Sequence, residues 1–229
     1  HASTIAPPVA VANAKARSGR KAVIYLLIQK SRINQLRKSL GSLYTNLWKQ
    51  YRYYPVVLFH EKDVGSAEKR VIQAGVPKMS LTFATLRFSI PKSMRHPERI
   101  PNRTTCAPSS STLGYRHMCR FHAHGVHRQL YKLGFTDLEY VMRLDDDSTI
   151  TFPIGYDVFQ FMEVNQLKYG FVSTVLDDTA CVVGLWESAR HFAENVSRFP
   201  LHNESFLADW PDPLVVYNNF EISHMSLWK

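Results

Sequence analysis

Apolar and polar stretches alternate along the chain and divide it into strand-like and helix-like segments in turn. Ala22–Ile28 (AVIYLLI) is an unbroken apolar run, the pattern of a strand covered on both faces. Between Ile33 and Gln50, Leu36, Leu40, Leu43 and Leu47 recur at helical spacing and predict an amphipathic helix. Pro55–Phe59 (PVVLF) reads as the next strand, with His60 and Glu61 at its polar exit. Ser66–Ala74 predicts a short helix closed by Gly75 and Pro77, and Leu81–Leu86 predicts a third strand. This β-α-β-α-β order argues for a Rossmann-like α/β fold, a mainly parallel sheet with right-handed crossovers.

A proline-rich, basic and Ser-containing stretch, Ser89–Leu113, reads as a long loop. Tyr115–Leu133 then predicts a helix. Met118, His122, Val126 and Leu130 recur every four residues, Cys119, Ala123 and Leu133 widen the stripe, and Gly134 ends it. Arg116 and Arg120 occupy its first two turns, and Arg suits forked contacts with phosphate or carboxylate. Tyr140–Leu144 is a short strand, and Asp145, Asp146 and Asp147 follow it directly. Three adjacent carboxylates repel and lose hydration when buried, so the strand is expected to surface here. Its C-terminal end is where open α/β sheets bind ligands. Hard oxygen donors on neighbouring positions suit Mg²⁺ or Mn²⁺, and such an ion suits a diphosphate. A solvated acidic turn would have the same sequence. Beyond it, Tyr156–Lys168 reads as a helix, Gly170–Val175 as a strand, Leu185–Val196 as a helix and Pro200–Pro213 as a loop. In Val215–Lys229, Asn218, Asn219 and Glu221 lie among aromatic and aliphatic residues. A Glu in that setting is either a catalytic group held against apolar walls or one bonded to a neighbouring amide.

Composition narrows this picture. Residues 1–21 are rich in Ala, Pro, Ser and basic side chains and read as a linker or stem before a domain at 22–229. The net charge of +9 favours anionic partners, but the cations are dispersed and no zinc-finger, homeodomain or RNP pattern is present. Nucleic acid is therefore not an expected partner. Cys106, Cys119 and Cys181 show no Cys-x-x-Cys spacing, which disfavours a cysteine-based zinc site. Triplets at Asn102, Asn195 and Asn203 match glycosylation acceptors and lean towards the secretory pathway. No run is long and apolar enough to span a bilayer, and the chain opens on His1, so an anchor is expected only upstream.

Several ordered motifs then resemble one family, the fungal α-1,2-mannosyltransferases of glycosyltransferase family 15. Tyr115–Phe121 (YRHMCRF) matches its Tyr-Arg-x-Met-Cys-Arg pattern. Met142–Asp147 (MRLDDD) matches Trp-Arg-Val-Glu-Pro-Asp, and Tyr156–Phe159 matches Asn-Tyr-Asp-Val-Phe. Tyr169-Gly170-Phe171, Leu185-Trp186-Glu187 and Asn219-Phe220-Glu221-Ile222 follow in family order. The resemblance implies a GT-A fold and retaining transfer of mannose from GDP-mannose to a mannose-containing glycan acceptor, with Mn²⁺. It implies metal binding at Asp145 and Asp147, a catalytic role for Glu221, and a donor site that includes Tyr115. Arg116, Arg120, Gln29 and Asp146 are the further donor-side candidates. It also implies a Golgi lumen setting, as a type II membrane protein if an anchor precedes the chain. The sequence departs from the family in having Asp145 for Glu, Asp146 for Pro, Gln29-Lys30 for Arg-Asn and His60-Glu61 for Asn-Asp. The family continues past the equivalent of Glu221 to a metal-binding histidine, so its C-terminal part is expected to be missing here. The alternative expectation is a catalytically weak or inactive nucleotide-sugar- or glycan-binding relative.

Overall fold

The structure is a computed structural model that describes residues 21–51, 54–91, 96, 98, 100, 112–179, 181–196 and 214–228. The expected stem, most of the proline-rich loop, Cys106, and the triplets at Asn102 and Asn203 lie outside the described residues. The described residues fall into two compact units, those within 1–88, 125–171 and 218–229 in the first and those within 89–124 and 172–217 in the second.

The first unit holds most of one six-stranded sheet, and residues 172–176 and 214–217 of its last two strands in the chain fall in the second. The strands are β1 (Ala22–Ile28), β2 (Val56–His60), β3 (Leu81–Thr85), β4 (Tyr140–Leu144), β5 (Tyr169–Leu176) and β6 (Leu214–His224), in the spatial order β3-β2-β1-β4-β6-β5. β1 pairs in parallel with both β2 and β4, β2 pairs in parallel with β3, and β6 runs antiparallel to β4. The expected mainly parallel mixed sheet of GT-A type is therefore present. From β1 the chain progresses outward through β2 and β3, then returns to place β4 on the other side of β1. The gap between the carboxyl ends of β1 and β4 is thus a topological switch point, where doubly wound sheets leave a ligand crevice.

One sheet face carries the core. Ile24, Leu26 and Ile28 of β1, Val56 and Leu58 of β2, and Met142 and Leu144 of β4 pack with Leu36, Leu40 and Leu43 of α1 (Ile33–Leu43) and Ile72 of α2 (Ser66–Gly75). The long helix expected over 33–50 is α1 followed by a π-type turn, Tyr44–Trp48, and it keeps Leu47 buried. Helix α1 and the π-type turn after it also pin the loop after β4. Ser39 Oγ donates to the Asp145 carbonyl (3.2 Å), Ser42 Oγ accepts from the Ile150 N–H (3.0 Å), and the Ile154 N–H donates to the Asn46 carbonyl (2.8 Å).

The helix expected over 115–133 is two helices, α3 (Leu113–Arg120) and α4 (Val126–Lys132), joined by a π-type turn. Thr112 caps α3 by accepting from the Tyr115 N–H at 3.1 Å. His122, Val126 and Leu130 are buried as expected, whereas Cys119, Ala123 and Leu133 are exposed. After α4, Gly134 adopts φ 93° and the Phe135 N–H bonds the Leu130 carbonyl (3.1 Å), so the left-handed turn that glycine permits ends the helix. Helix α5 (Val158–Val164) starts at Asp157, whose carboxylate accepts from the Phe159 and Gln160 N–H groups and from the Tyr54 hydroxyl. α6 (Leu185–His191) runs into a π-type turn ending at Val196. Cys119 is a thiol and Cys181 is disulfide-bonded. No helix among the described residues is long and apolar enough to cross a membrane.

Candidate active site

The face of the sheet opposite the core carries a polar row. Tyr25 of β1 pairs with Arg143 of β4, and Arg143 with Glu221 of β6, so the three side chains lie side by side across the central strands. Alternation puts Asp145, two residues after Arg143, on the same face. There Arg143 Nε and a terminal guanidinium nitrogen donate to the two oxygens of Asp145 at 2.7 and 3.0 Å. The Asp145 N–H donates to the Asn219 carbonyl (2.9 Å), which extends the β4–β6 ladder to the edge of the site. Tyr169 of β5 donates its hydroxyl to Glu221 Oε2.

Arg143 is only 4% exposed, and such a charge is tolerated inside a fold only when paired. Burial works to lower its pKa, but the hydrogen bonds and charge of Asp145 overcome this and raise it. Burial pushes the Glu221 carboxyl above its usual range, and the charge of Asp145 adds to this, while the Tyr169 hydrogen bond and Arg143 pull it back. Burial and the Glu221 contact raise the Tyr169 phenol in turn.

At the switch point the three aspartates do not all surface, contrary to expectation. Asp146 is 4% exposed, and Asp145 is largely covered. Two arginines make this tolerable. Arg143 holds Asp145, and Arg32, at the start of α1, bonds both Asp146 (3.1 Å) and Asp147. Compensation is incomplete at Asp146. Its Oδ2 is buried without a hydrogen-bond partner, and burial raises its pKa to about 6 despite Arg32 and the Gln29 backbone N–H.

A carboxylate whose folded pKa lies above its unfolded value contributes its stability below the unfolded pKa, and that contribution is lost as pH rises through the folded pKa. For Asp146 the window runs from 3.8 to about 6. Asp146→Asn, which keeps an acceptor for Arg32, is therefore expected to stabilise the metal-free protein at pH 7 by on the order of 2–3 kcal/mol. The gain should vanish near pH 4. Urea denaturation with EDTA at both pH values measures it, and equal stability of the two proteins at pH 7 would contradict the account.

The structure thus brings together Asp145, Asp146, Asp147, Glu221 and Gln29 in the first unit, Gln29 through its backbone. Tyr115, Arg116 and Arg120 stand on α3 in the second unit. There Tyr115 is exposed, Arg116 half-buried, and Arg120 donates to the Ser89 carbonyl at 3.2 Å. His60 is no polar exit. It is 1% exposed inside β2, its Nδ1 lies 2.6 Å from the Glu61 carbonyl, and its Nε2 is buried without a partner. Sequence reasoning assigned no site role to Arg32, Arg143 or Tyr169. For Arg143 a signal existed: an arginine inside an apolar strand, two positions before an aspartate, has its partner on its own face.

A family profile described as glycolipid 2-alpha-mannosyltransferase matches residues 1–229. The chain belongs to that family. It is 27% identical over 222 residues to the probable mannosyltransferase KTR3 of Saccharomyces cerevisiae, covering 91% of this chain and 54% of that protein. It is 32% identical over 126 residues to the alpha-1,2 mannosyltransferase KTR1 of the same yeast, covering 52% and 31% of the two chains. Among solved structures it resembles the mannosyltransferase Ktr4p of S. cerevisiae, with a TM-score of 0.75 and 24% identity over 90% of this chain and 56% of that one. It also resembles core-mannan synthase A of Aspergillus fumigatus in its Mn/GDP form, with a TM-score of 0.70 and 20% identity over 94% and 62%. These structural likenesses establish the fold. The chain spans about half the length of the yeast relatives that it matches over most of its own length.

Proposed function

We propose that this chain carries the donor side of a retaining α-mannosyltransferase, which moves mannose from GDP-mannose to a mannoside acceptor. The observation that carries the proposal is the meeting of Asp145–Asp147 with the Arg143–Glu221 row at the switch point. Family membership and relatives described as mannosyltransferases support the choice of sugar. Core-mannan synthase A in its Mn/GDP form supports the choice of metal and nucleotide. No group of three or more His, Cys, Asp or Glu side chains converges on a cation position among the described residues. Two carboxylates with diphosphate oxygens nevertheless suit a hard divalent cation. Asp145 and Asp147 would supply those two, with the Asp146 carboxylate, whose Oδ2 is buried and unpartnered, beside them. A bound Mn²⁺, or Mg²⁺, neutralises the diphosphate and makes it a better leaving group.

The chain's own residues supply the rest. Arg143 keeps Asp145 and Glu221 from repelling each other at neighbouring positions. Tyr169 fixes the Glu221 carboxylate in one orientation. As the sugar–phosphate bond breaks, its electron pair leaves with the diphosphate and the anomeric carbon gains positive charge. Glu221, as an anion, would stabilise that carbon from the face opposite the leaving group, as carboxylates do in retaining glycosidases. The acceptor hydroxyl then bonds the anomeric carbon from the face the diphosphate is leaving and gives its proton to the departing diphosphate oxygen. A luminal Golgi setting belongs to the proposal, supported by the triplets at Asn102, Asn195 and Asn203.

Calorimetric titration with GDP and with UDP, each with and without Mn²⁺, tests the nucleotide assignment. The proposal expects GDP to bind more tightly than UDP and more tightly with Mn²⁺. Equal binding of both nucleotides with no response to Mn²⁺ would overturn it.

A further inference from the structure

Arg32 ends the turn that links β1 to α1, and its guanidinium lies on Asp146 and Asp147 at the switch point. The two arginines of the site are not equivalent. The Arg143 side chain is 5% exposed and forks onto both oxygens of Asp145, whereas the Arg32 side chain keeps 33% exposure. Arg143 is walled in, and Arg32 can leave into solvent. Arg32 also leaves its work unfinished, since Asp146 Oδ2 stays buried with no hydrogen-bond partner. A buried carboxylate oxygen without a protein donor calls for an added partner, and a cation that reaches both oxygens of the group would supply one.

A divalent ion and a guanidinium want the same hard oxygens, and at contact distance they repel each other. We propose that Arg32 is a displaceable counter-cation that competes with the divalent ion for Asp146 and Asp147. Metal entry displaces its guanidinium. The freed group is tethered at the end of β1, where it can donate to an anionic oxygen of the nucleoside diphosphate. Arg32 thus holds the acidic triad together in the metal-free protein and becomes a positioning residue for the donor once metal has bound. The inference rests on the nucleotide-sugar reading of this site.

Mn²⁺ titration of the nucleotide-free protein, with free Mn²⁺ read by electron paramagnetic resonance, tests it without any turnover. Removing a charge-assisted competitor predicts Mn²⁺ binding about tenfold tighter in Arg32→Gln than in wild type. Arg32→Lys, a point charge without the fork, should fall between the two, and it provides the comparison if Arg32→Gln does not fold. GDP affinity at saturating Mn²⁺ should drop in Arg32→Gln, again by about tenfold. Unchanged or weaker Mn²⁺ binding in a folded Arg32→Gln or Arg32→Lys protein would overturn the inference, as would a wild type that binds no Mn²⁺. If GDP still binds in preference to UDP in that case, the proposed function stands and only the role of Arg32 falls.

Discussion

Arg143→Met is expected to destabilise the protein by about 3–5 kcal/mol at pH 7, the scale of breaking a buried ion pair from one side. Methionine fills much of the arginine's volume, so the loss is electrostatic and not a cavity. Without the guanidinium, Asp145 and Glu221 lie diagonally on adjacent strands, both largely buried and with no cation between them. Their pKa values should rise further, and lowering the pH should protonate them. The variant is therefore expected to regain part of its stability between pH 7 and pH 5. Chemical denaturation at the two pH values measures this. A loss below about 1 kcal/mol, the range of exposed ion pairs, would mean that Arg143 is not the keystone of the row.

Glu221→Gln is expected to lower turnover by on the order of 10²-fold or more while donor affinity hardly changes. Glutamine preserves the size of the side chain and an acceptor for the Tyr169 hydroxyl, and it removes only the charge. Charge at this point matters to a cationic transition state and little to the bound donor. The raised pKa of Glu221 adds a second signature. Wild-type turnover should fall on acidification at a pH above the ordinary glutamate range, and Glu221→Gln should lack that limb. Steady-state kinetics and GDP-mannose binding, measured on the intact protein, separate the two effects. Equal turnover in the two proteins would leave Glu221 a structural role.

Much of the fold was legible because a strand buried on both faces must be apolar throughout. Ala22–Ile28 matched its expected bounds for that reason, and Tyr140–Leu144 did so with Arg143 among its apolar residues. β6 was not read as a strand, and its polar residues explain this. Asn219 and Glu221 stand on the site face while Phe220 and Ile222 meet the opposite one, so function masks the apolar pattern of an inner strand. The same cause hid the charge balance of the acidic triad. A sequence shows three adjacent aspartates, but the arginines that allow one to be buried are supplied by the turn after β1 and by β4 itself. Arg32 gave no local signal, since only the parallel pairing of β1 with β4 brings it beside Asp146. Gln29 was legible as a position at the end of β1, yet its contact with Asp146 runs through the backbone, for which side-chain identity is uninformative.

The most direct test of the central claim is the product of the reaction itself. Intact protein, GDP-mannose, Mn²⁺ and a simple α-mannoside acceptor are incubated, and the new linkage is read by nuclear magnetic resonance. The account predicts an added mannose in α linkage, formed from an α-configured donor and lost in Glu221→Gln. A β-linked product, or no transfer by folded protein with Mn²⁺ present, would contradict it.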